Sequence, residues 1–208
     1  MDYKYWNEYY KKNIAPNEPS KFAKDILKYL HPGKKLIELG CGNGRDAIFL
    51  SNNNINVVAI DQSESSINNL KGSVSNSNID FIADDFIETK LLEKESFDYV
   101  YSRFTLHSIS EEQEDKLINR VYNALKKDGL LLIEVRSIKD EIFGLGEKVA
   151  RNTYIYNNHS RRFIVLDELI EKLSLIGFKI DFVDENNNYA IYKEQNPIVI
   201  RVIARKQF

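Results

Sequence analysis

The sequence is short of several things, and each shortage removes a class of protein. There is a single cysteine, Cys41, in 208 residues. An intrachain disulfide and a multi-cysteine metal site are therefore excluded, and a reducing compartment, the cytoplasm, is expected. Positive charge is not in excess: Lys plus Arg is 29 against 31 for Asp plus Glu, a net charge of −2. A broad nucleic-acid grip rests on clustered excess cations, so no nucleic-acid partner is expected. No apolar run approaches the ~20 residues that span a bilayer, so no membrane association is expected. The first twelve residues lack the apolar stretch of a secretion signal, and the protein is expected to be unexported. No His/Asp/Glu cluster stands at ligand spacing, so no metal is expected. Proline is scarce: Pro16, Pro32 and Pro197 fall outside the periodic segments, and Pro19 stands at the first position of one.

What is present is an alternation of short apolar runs and amphipathic stretches. Strands are predicted at 35–39, 56–60, 79–83, 97–102 and 130–135, and helices at 19–30, 45–52, 63–74 and from Ser110 to Gly129. Ser110 and Gln113 have the spacing of a capping box, and Gly129 is expected to stop that helix. A last helix opens at Asp167 and stops at Gly177, and strands 178–183 and 198–204 follow as a hairpin. From Arg136 to Ile164 the pattern breaks. The Tyr3–Lys12 stretch has helical character. Five βα units with a closing hairpin predict an α/β, doubly wound, Rossmann-like sheet of seven strands, mostly parallel, with an antiparallel C-terminal hairpin and helices on both faces. A single domain over 1–208 is expected: an N-terminal helical segment 1–32, a core 33–135, an insertion 136–165, and a closing helix and hairpin 166–208. Ligands bind such sheets beyond the carboxyl ends of the strands.

The sharpest motif lies at the first of those ends, Leu36-Ile37-Glu38-Leu39-Gly40-Cys41-Gly42-Asn43-Gly44. Alternating glycines permit a tight turn and close backbone approach to a ligand. The helix that follows begins at Arg45, and its N-terminus favours negative charge. The spacing is G-x-G-x-G rather than the G-x-G-x-x-G of dinucleotide binders. Glu38 would repel a pyrophosphate but suits a cationic amine or sulfonium. Asp61, followed by Gln62, closes the second strand, where an acid can accept hydrogen bonds from ribose hydroxyls. The third strand ends in Asp84-Asp85-Phe86. A carboxylate there can accept from an adenine amine, and Phe86 can flank the ring. Cys41 reads as a small packing residue.

These residues, with Phe97-Asp98-Tyr99-Val100 in the fourth strand, resemble motif I and its companions in the class I S-adenosylmethionine-dependent methyltransferases, in order over roughly residues 33–135. The resemblance implies S-adenosylmethionine as cofactor and S-adenosylhomocysteine as product. It implies that Glu38 and the backbone from Gly40 through Cys41, Gly42 and Gly44 to Arg45 frame the methionine half. Asp61 and Gln62 would hold the ribose, Asp85 and Phe86 the adenine, and Asp84 could exchange roles with Asp85. Ser102 and Arg103 would border the transferable methyl.

For the acceptor side the sequence leaves alternatives. His107 reads either as a general base or as a capping or packing histidine, and Arg103 as a polar group at the mouth. From Val149 to Val165 there is no Asp or Glu, while Arg151, His159, Arg161 and Arg162 interleave with Tyr154 and Tyr156. Five of the nine arginines, 103, 136, 151, 161 and 162, lie at strand ends or in this insertion. Arginine's planar fork suits phosphate or carboxylate. An anionic small-molecule acceptor held by Arg136, Arg151, Tyr154, His159 and Arg162 is one expectation; a solvated basic loop is the other. The Tyr5–Tyr10 run is either a lid over the cofactor or a plain amphipathic helix. The stretches Arg-Phe-Thr-Leu-His and His-Ser-Arg-Arg-Phe are similar to those of small bacterial enzymes linked to methyl phosphoramidate modification of capsular polysaccharide. Thiol- or tellurite-directed and other O- or N-methyltransferases are the neighbouring options. A non-catalytic S-adenosylmethionine-binding module and an NAD-dependent oxidoreductase are the alternatives of another class.

Overall fold

A computed structural model describes residues 16–208; the N-terminal helix and lid expected at Tyr3–Lys12 lie outside the described residues. Helix α1 (Lys21–Ile26) continues as a 3-10 turn, Leu27–Tyr29, and starts where Ser20 Oγ accepts from the Ala23 amide at 3.0 Å. Then come β1 (Lys35–Leu39), α2 (Arg45–Asn52), β2 (Asn56–Asp61), α3 (Glu64–Ser73), β3 (Ile79–Ala83) and β4 (Phe97–Arg103). Helix α4 (Glu111–Ala124) opens on the expected capping box of Ser110 and Gln113, and β5 (Leu125–Arg136) follows.

The main sheet has seven strands in the order β3-β2-β1-β4-β5-β10-β9, where β9 is Phe178–Asn186 and β10 is Val199–Lys206. The first five run parallel, and β10 is antiparallel to both of its neighbours. Side chains alternate across each strand, so continuous apolar runs supply two cores. Ile37, Val58, Val100 and Ile133 face α4 and α5 (Leu166–Ile176). Leu36, Val57, Tyr99 and Leu132 face α1, α2 and α3. The strand order reverses between β1 and β4, which places their carboxyl ends, Glu38–Gly40 and Ser102–Phe104, side by side. No helix among the described residues is long and apolar enough to cross a membrane.

Two expectations change. Helix α4 stops at Ala124, and Leu125 is already extended opposite Phe97. Gly129 instead serves a close approach, because a Cβ there would sit 3.0 Å from the Asp98 carbonyl. The irregular 136–165 stretch contains a second, three-stranded antiparallel sheet: β6 (Glu147–Ala150), β7 (Thr153–Tyr156) and β8 (His159–Arg162). Four-residue strands are too short to show a period. Their turn is Asn157-Asn158, with φ of 51° and 56°, the left-handed pair that a tight hairpin needs.

Candidate active site

A cavity of about 490 Å³ opens at the switch point, between the carboxyl ends of β1, β2, β4 and β5 and the β9–β10 connection. Its first half is built by the glycine loop. Gly40 takes φ +71°, and its amide and that of Cys41 donate to the Ile60 carbonyl at 2.8 and 2.9 Å. A Cβ at Gly40 would lie 2.6 Å from Thr105 Cγ2, so only glycine lets the loop pass beneath β4's continuation. Gly44 caps α2 in the left-handed conformation, pressed against Leu70 and Phe81.

Two of the carboxylates that line this half stand at strand ends. Glu38 is buried at the end of β1, and its Oε2 has no hydrogen-bond partner. Burial first, then the negative charge of Asp46, pushes its carboxyl well above the usual range, with Arg103 opposing. A buried acid with an open oxygen is the acceptor that a cationic amine would complete. Asp61 is held by the Gly42 amide on one oxygen and the Ser63 amide on the other, each at 2.8 Å. That fixes the carboxylate while leaving its remaining lone pairs to the cavity. Burial raises its pKa, and the two amides oppose the rise. Cys41, Arg45, Gln62 and Phe86 also line this half. Arg45 reaches the Glu18 carbonyl at 3.0 Å. Cys41 is buried, with its thiol pushed well up by burial, a packing role rather than a nucleophile's. Asp84 and Asp85 lie outside the cavity lining. Asp84 Oδ1 accepts from the Asp85 amide and Asp85 Oδ1 from that of Ile87, both at 2.8 Å, so each organises the turn after β3. Gly42 and Gly44 likewise shape the loop from behind.

The second half is cationic and aromatic. Arg103 donates Nε to Glu134 Oε1 at 2.8 Å, and its guanidinium lies 4.5 Å from the Phe104 ring centroid. Phe104 holds φ +55°, an uncommon conformation for a bulky residue, and its ring also lies 5.8 Å from the Arg136 guanidinium. Arg136 donates to Asp140 at 2.7 Å and reaches Gln195 at 3.4 Å. The β9–β10 connection, through Asn188, Tyr189, Ile191, Tyr192 and Gln195, forms the facing wall. Ser102 is buried beneath, its hydroxyl bonded to that of Thr105.

Several expected acceptor residues are not brought to this cavity. Arg151 is exposed and paired with Glu168 at 2.5 Å and Glu111 at 3.4 Å. Arg162 is buried, donating to the carbonyls of Ile109 and Leu106 at 2.9 and 3.1 Å and to Glu114. The acids come from α4 and α5, outside the acid-free stretch that made these arginines stand out. Tyr154 packs edge-on against Phe143 and Phe163, with centroids 5.4 and 6.3 Å away. His159 is buried, and burial with Arg161 and Arg136 nearby holds its pKa down at about 3. His107 is buried 6.1 Å from the His159 ring, outside the cavity lining. Burial, then His159 and three arginines, pushes it well below the usual histidine range, which suits a packing residue rather than a base working near neutrality. Conversely, sequence reading passed over Phe104, Glu134, Arg201 and the 188–195 loop. A signal existed for two of them: Glu134 and Arg201 are charges set inside apolar strand runs.

A reversed parallel sheet, a glycine loop and a carboxylate at each of the first two strand ends define a class I S-adenosylmethionine-dependent methyltransferase fold. Residues 36–129 match the methyltransferase domain family. The chain is 29% identical over 191 residues to a carboxy-S-adenosyl-L-methionine synthase of Nautilia profundicola, covering 81% of this chain and 80% of that one. It is 28% identical over 123 residues to the enzyme of the same name in Campylobacter concisus, covering 57% of this chain; there the matched part spans only about half, 51%, of the relative's length. Among solved structures, the 1,6-didemethyltoxoflavin-N1-methyltransferase of Burkholderia thailandensis, with 1,6-didemethyltoxoflavin and S-adenosylhomocysteine bound, superposes with a TM-score of 0.70 at 19% identity, over 90% of this chain and 77% of that one. The cofactor of this fold is S-adenosylmethionine, and the open carboxylate of Glu38 together with the anchored one of Asp61 fits its cationic amine and its ribose.

Proposed function

We propose that the protein transfers a methyl group from S-adenosylmethionine to a small anionic acceptor that seats its charge on Arg103. One observation carries this reading. Arg103 is nearly buried at the cavity, its side chain 15% exposed, and of its nitrogens Nε is the one directed to Glu134. Arg103 lines the cavity, where a phosphate or carboxylate would take both remaining nitrogens.

Bound S-adenosylmethionine supplies an electrophilic methyl on a sulfonium. The protein's part is to hold and align. Glu38 would take the amine, Asp61 the ribose hydroxyls, and Phe86 the adenine face, with Asp85 or Asp84 turning a free carboxylate oxygen to the adenine amine. Arg103, backed by Glu134, would fix the acceptor's anion, and Arg136 would add a second positive charge beside Phe104. Alignment of this kind can contribute about 7–11 kcal/mol to a displacement, more than a general base supplies. The proposal therefore needs no role for His107. A phosphorylated group, including the phosphoramidate of a surface polysaccharide, falls within this acceptor class; the arginines that favour it are 103 and 136 rather than 151 and 162.

A second reading has one observation in its favour, the alignment over four fifths of a carboxy-S-adenosyl-L-methionine synthase. There a carboxylated form of the cofactor, made or used in this cavity, would set its carboxylate on Arg103.

The test begins with calorimetric titration by S-adenosylhomocysteine beside NAD, which is expected to bind the first alone. Transfer of labelled methyl is then followed across phosphorylated, carboxylated and neutral thiol acceptors, with mass spectrometry of the cofactor pool. Product confined to neutral acceptors would overturn the anionic reading. A cofactor-derived species heavier by a carboxyl group would replace methyl transfer with the second reading.

A further inference from the structure

Arg201 occupies an unusual place. It is the third residue of β10, and its side chain is 4% exposed. On one side its Nε donates to Glu134 Oε2 at 2.7 Å, the oxygen opposite the one that holds Arg103. Glu134 itself is wholly buried, at 0% exposure. On the other side the guanidinium stacks 3.9 Å from the centroid of the Tyr189 ring, and Nη2 reaches the Tyr189 carbonyl at 3.3 Å. A third arm reaches Asp25 of α1 at 2.7 Å.

A lone structural arginine in a sheet needs one carboxylate to offset its burial. Here one guanidinium touches Tyr189, which lines the cavity, and Glu134, the buried carboxylate that holds Arg103 of the same cavity. Glu134 is held from both sides, by Arg103 Nε on Oε1 and by Arg201 Nε on Oε2, and Arg103 lines the cavity. Tyr189 belongs to the connection that forms the facing wall. Its ring is clamped by Arg201 on a face and by Asp184 at the hydroxyl, with the Lys21 ammonium 5.5 Å away. The wall it belongs to continues through Ile191 and Tyr192, with Asn188 and Gln195 as its polar members.

We propose that Arg201 is a positioning residue that couples the anion-facing guanidinium of Arg103 to the Tyr189 wall. The cavity is thereby shaped for an acceptor with an anionic head and an aromatic or apolar body, rather than for a free inorganic anion or a fully hydroxylated sugar phosphate. The inference rests on the anionic-acceptor reading and sharpens it. The head would be read by Arg103 and Arg136, the body by Tyr189 and Ile191, and Arg201 would keep the two at one spacing.

The test uses the full chain saturated with S-adenosylhomocysteine and two probes, inorganic phosphate and phenyl phosphate, titrated by calorimetry. The wild type is expected to bind phenyl phosphate at least about tenfold more tightly than inorganic phosphate, the scale of one good aromatic contact. Arg201→Met is expected to weaken phenyl phosphate about tenfold and to leave S-adenosylhomocysteine affinity within about twofold. Tyr189→Ala is expected to lower phenyl phosphate affinity more than inorganic phosphate affinity, collapsing the preference; it decides the matter alone if Arg201→Met fails to fold. A merely structural arginine would weaken cofactor and both probes together, and that pattern overturns the proposal. So does a preference for phenyl phosphate that survives both substitutions, with the anionic reading left standing. Failure of either anion to bind the wild type overturns that reading and the inference with it.

Discussion

The molecule holds two groups of arginines that look alike in sequence and differ in their surroundings. In the insertion, Arg151 and Arg162 meet Glu111, Glu114 and Glu168, carried in by α4 and α5. At the cavity, Arg103 shares Glu134 with a second arginine, Arg201, which also reaches Asp25. The first group is neutralised by its neighbours. In the second, the guanidinium of Arg103 makes its ion pair through Nε and lines an opening, where an anion can be drawn to it. Arginine content therefore points to a site only after the partners are counted, and the partners here come from distant elements.

Substitutions in the two groups should have opposite signatures. The largest expected effect is structural. Arg162→Met removes a buried partner of Glu114 and two carbonyl contacts, and is expected to cost about 3 kcal/mol in urea unfolding, the low end for a broken buried pair because Lys172 still reaches Glu114 at 2.6 Å. Acceptor KM should stay unchanged. Arg103→Gln should do the reverse, lowering kcat/KM for an anionic acceptor by about a hundredfold, near 2.7 kcal/mol, with a smaller loss of stability than Arg162→Met, because Arg201 still holds Glu134 and glutamine can donate to it, and with little loss of S-adenosylhomocysteine binding. If both variants lose only stability, the distinction drawn here between the groups is gone.

Glu38→Gln is expected to weaken S-adenosylhomocysteine about ten- to a hundredfold, the worth of a charge-assisted hydrogen bond, as read by calorimetry. The same carboxyl gives a pH signature. Its folded pKa is raised, so the folded state holds the proton more tightly than the unfolded chain. That stabilisation is present below the ordinary carboxylate value and is lost as pH rises through the raised value. Melting temperatures of the cofactor-free protein should show this decline, and Glu38→Gln should flatten it. His159 acts in the opposite sense. Its pKa falls from 6.5 to about 3 on folding, so its contribution is present above pH 6.5 and is lost as pH drops toward 3. His159→Gln should reduce the acid-side slope without moving the pH profile of transfer. The smallest effect is expected for Arg151→Ala, an exposed pair that should leave melting temperature and acceptor KM where they are; a raised KM would return the insertion to the acceptor site.

The glycine loop, Glu38 and Asp61 were legible because their chemistry is local. A strand, a turn that demands left-handed glycines and a helix start are all encoded within a few residues, and each carboxylate sits at a strand end that hydrophobic patterning marks out. Asp84 and Asp85 were legible as a strand end, but their turn-organising hydrogen bonds were not, since those depend on how the chain bends after β3. The small sheet β6-β7-β8 was hidden by strands of four residues, and only its Asn157-Asn158 turn left a trace.

By itself the sequence determined the alternation of strands and helices, the two-faced burial of the sheet and the glycine-loop end of the cavity. Periodicity, turn chemistry and capping act between residues close in the chain, so they can be read along it. Tertiary structure alone decided which acids each arginine meets, that His107 and His159 pack edge-on outside the cavity lining, and that the β9–β10 connection lines the cavity. Those outcomes depend on contacts such as Arg162 with Glu114 and Arg201 with both Glu134 and Asp25. Charges that far apart in the chain meet only when the sheet order brings their strands and helices together.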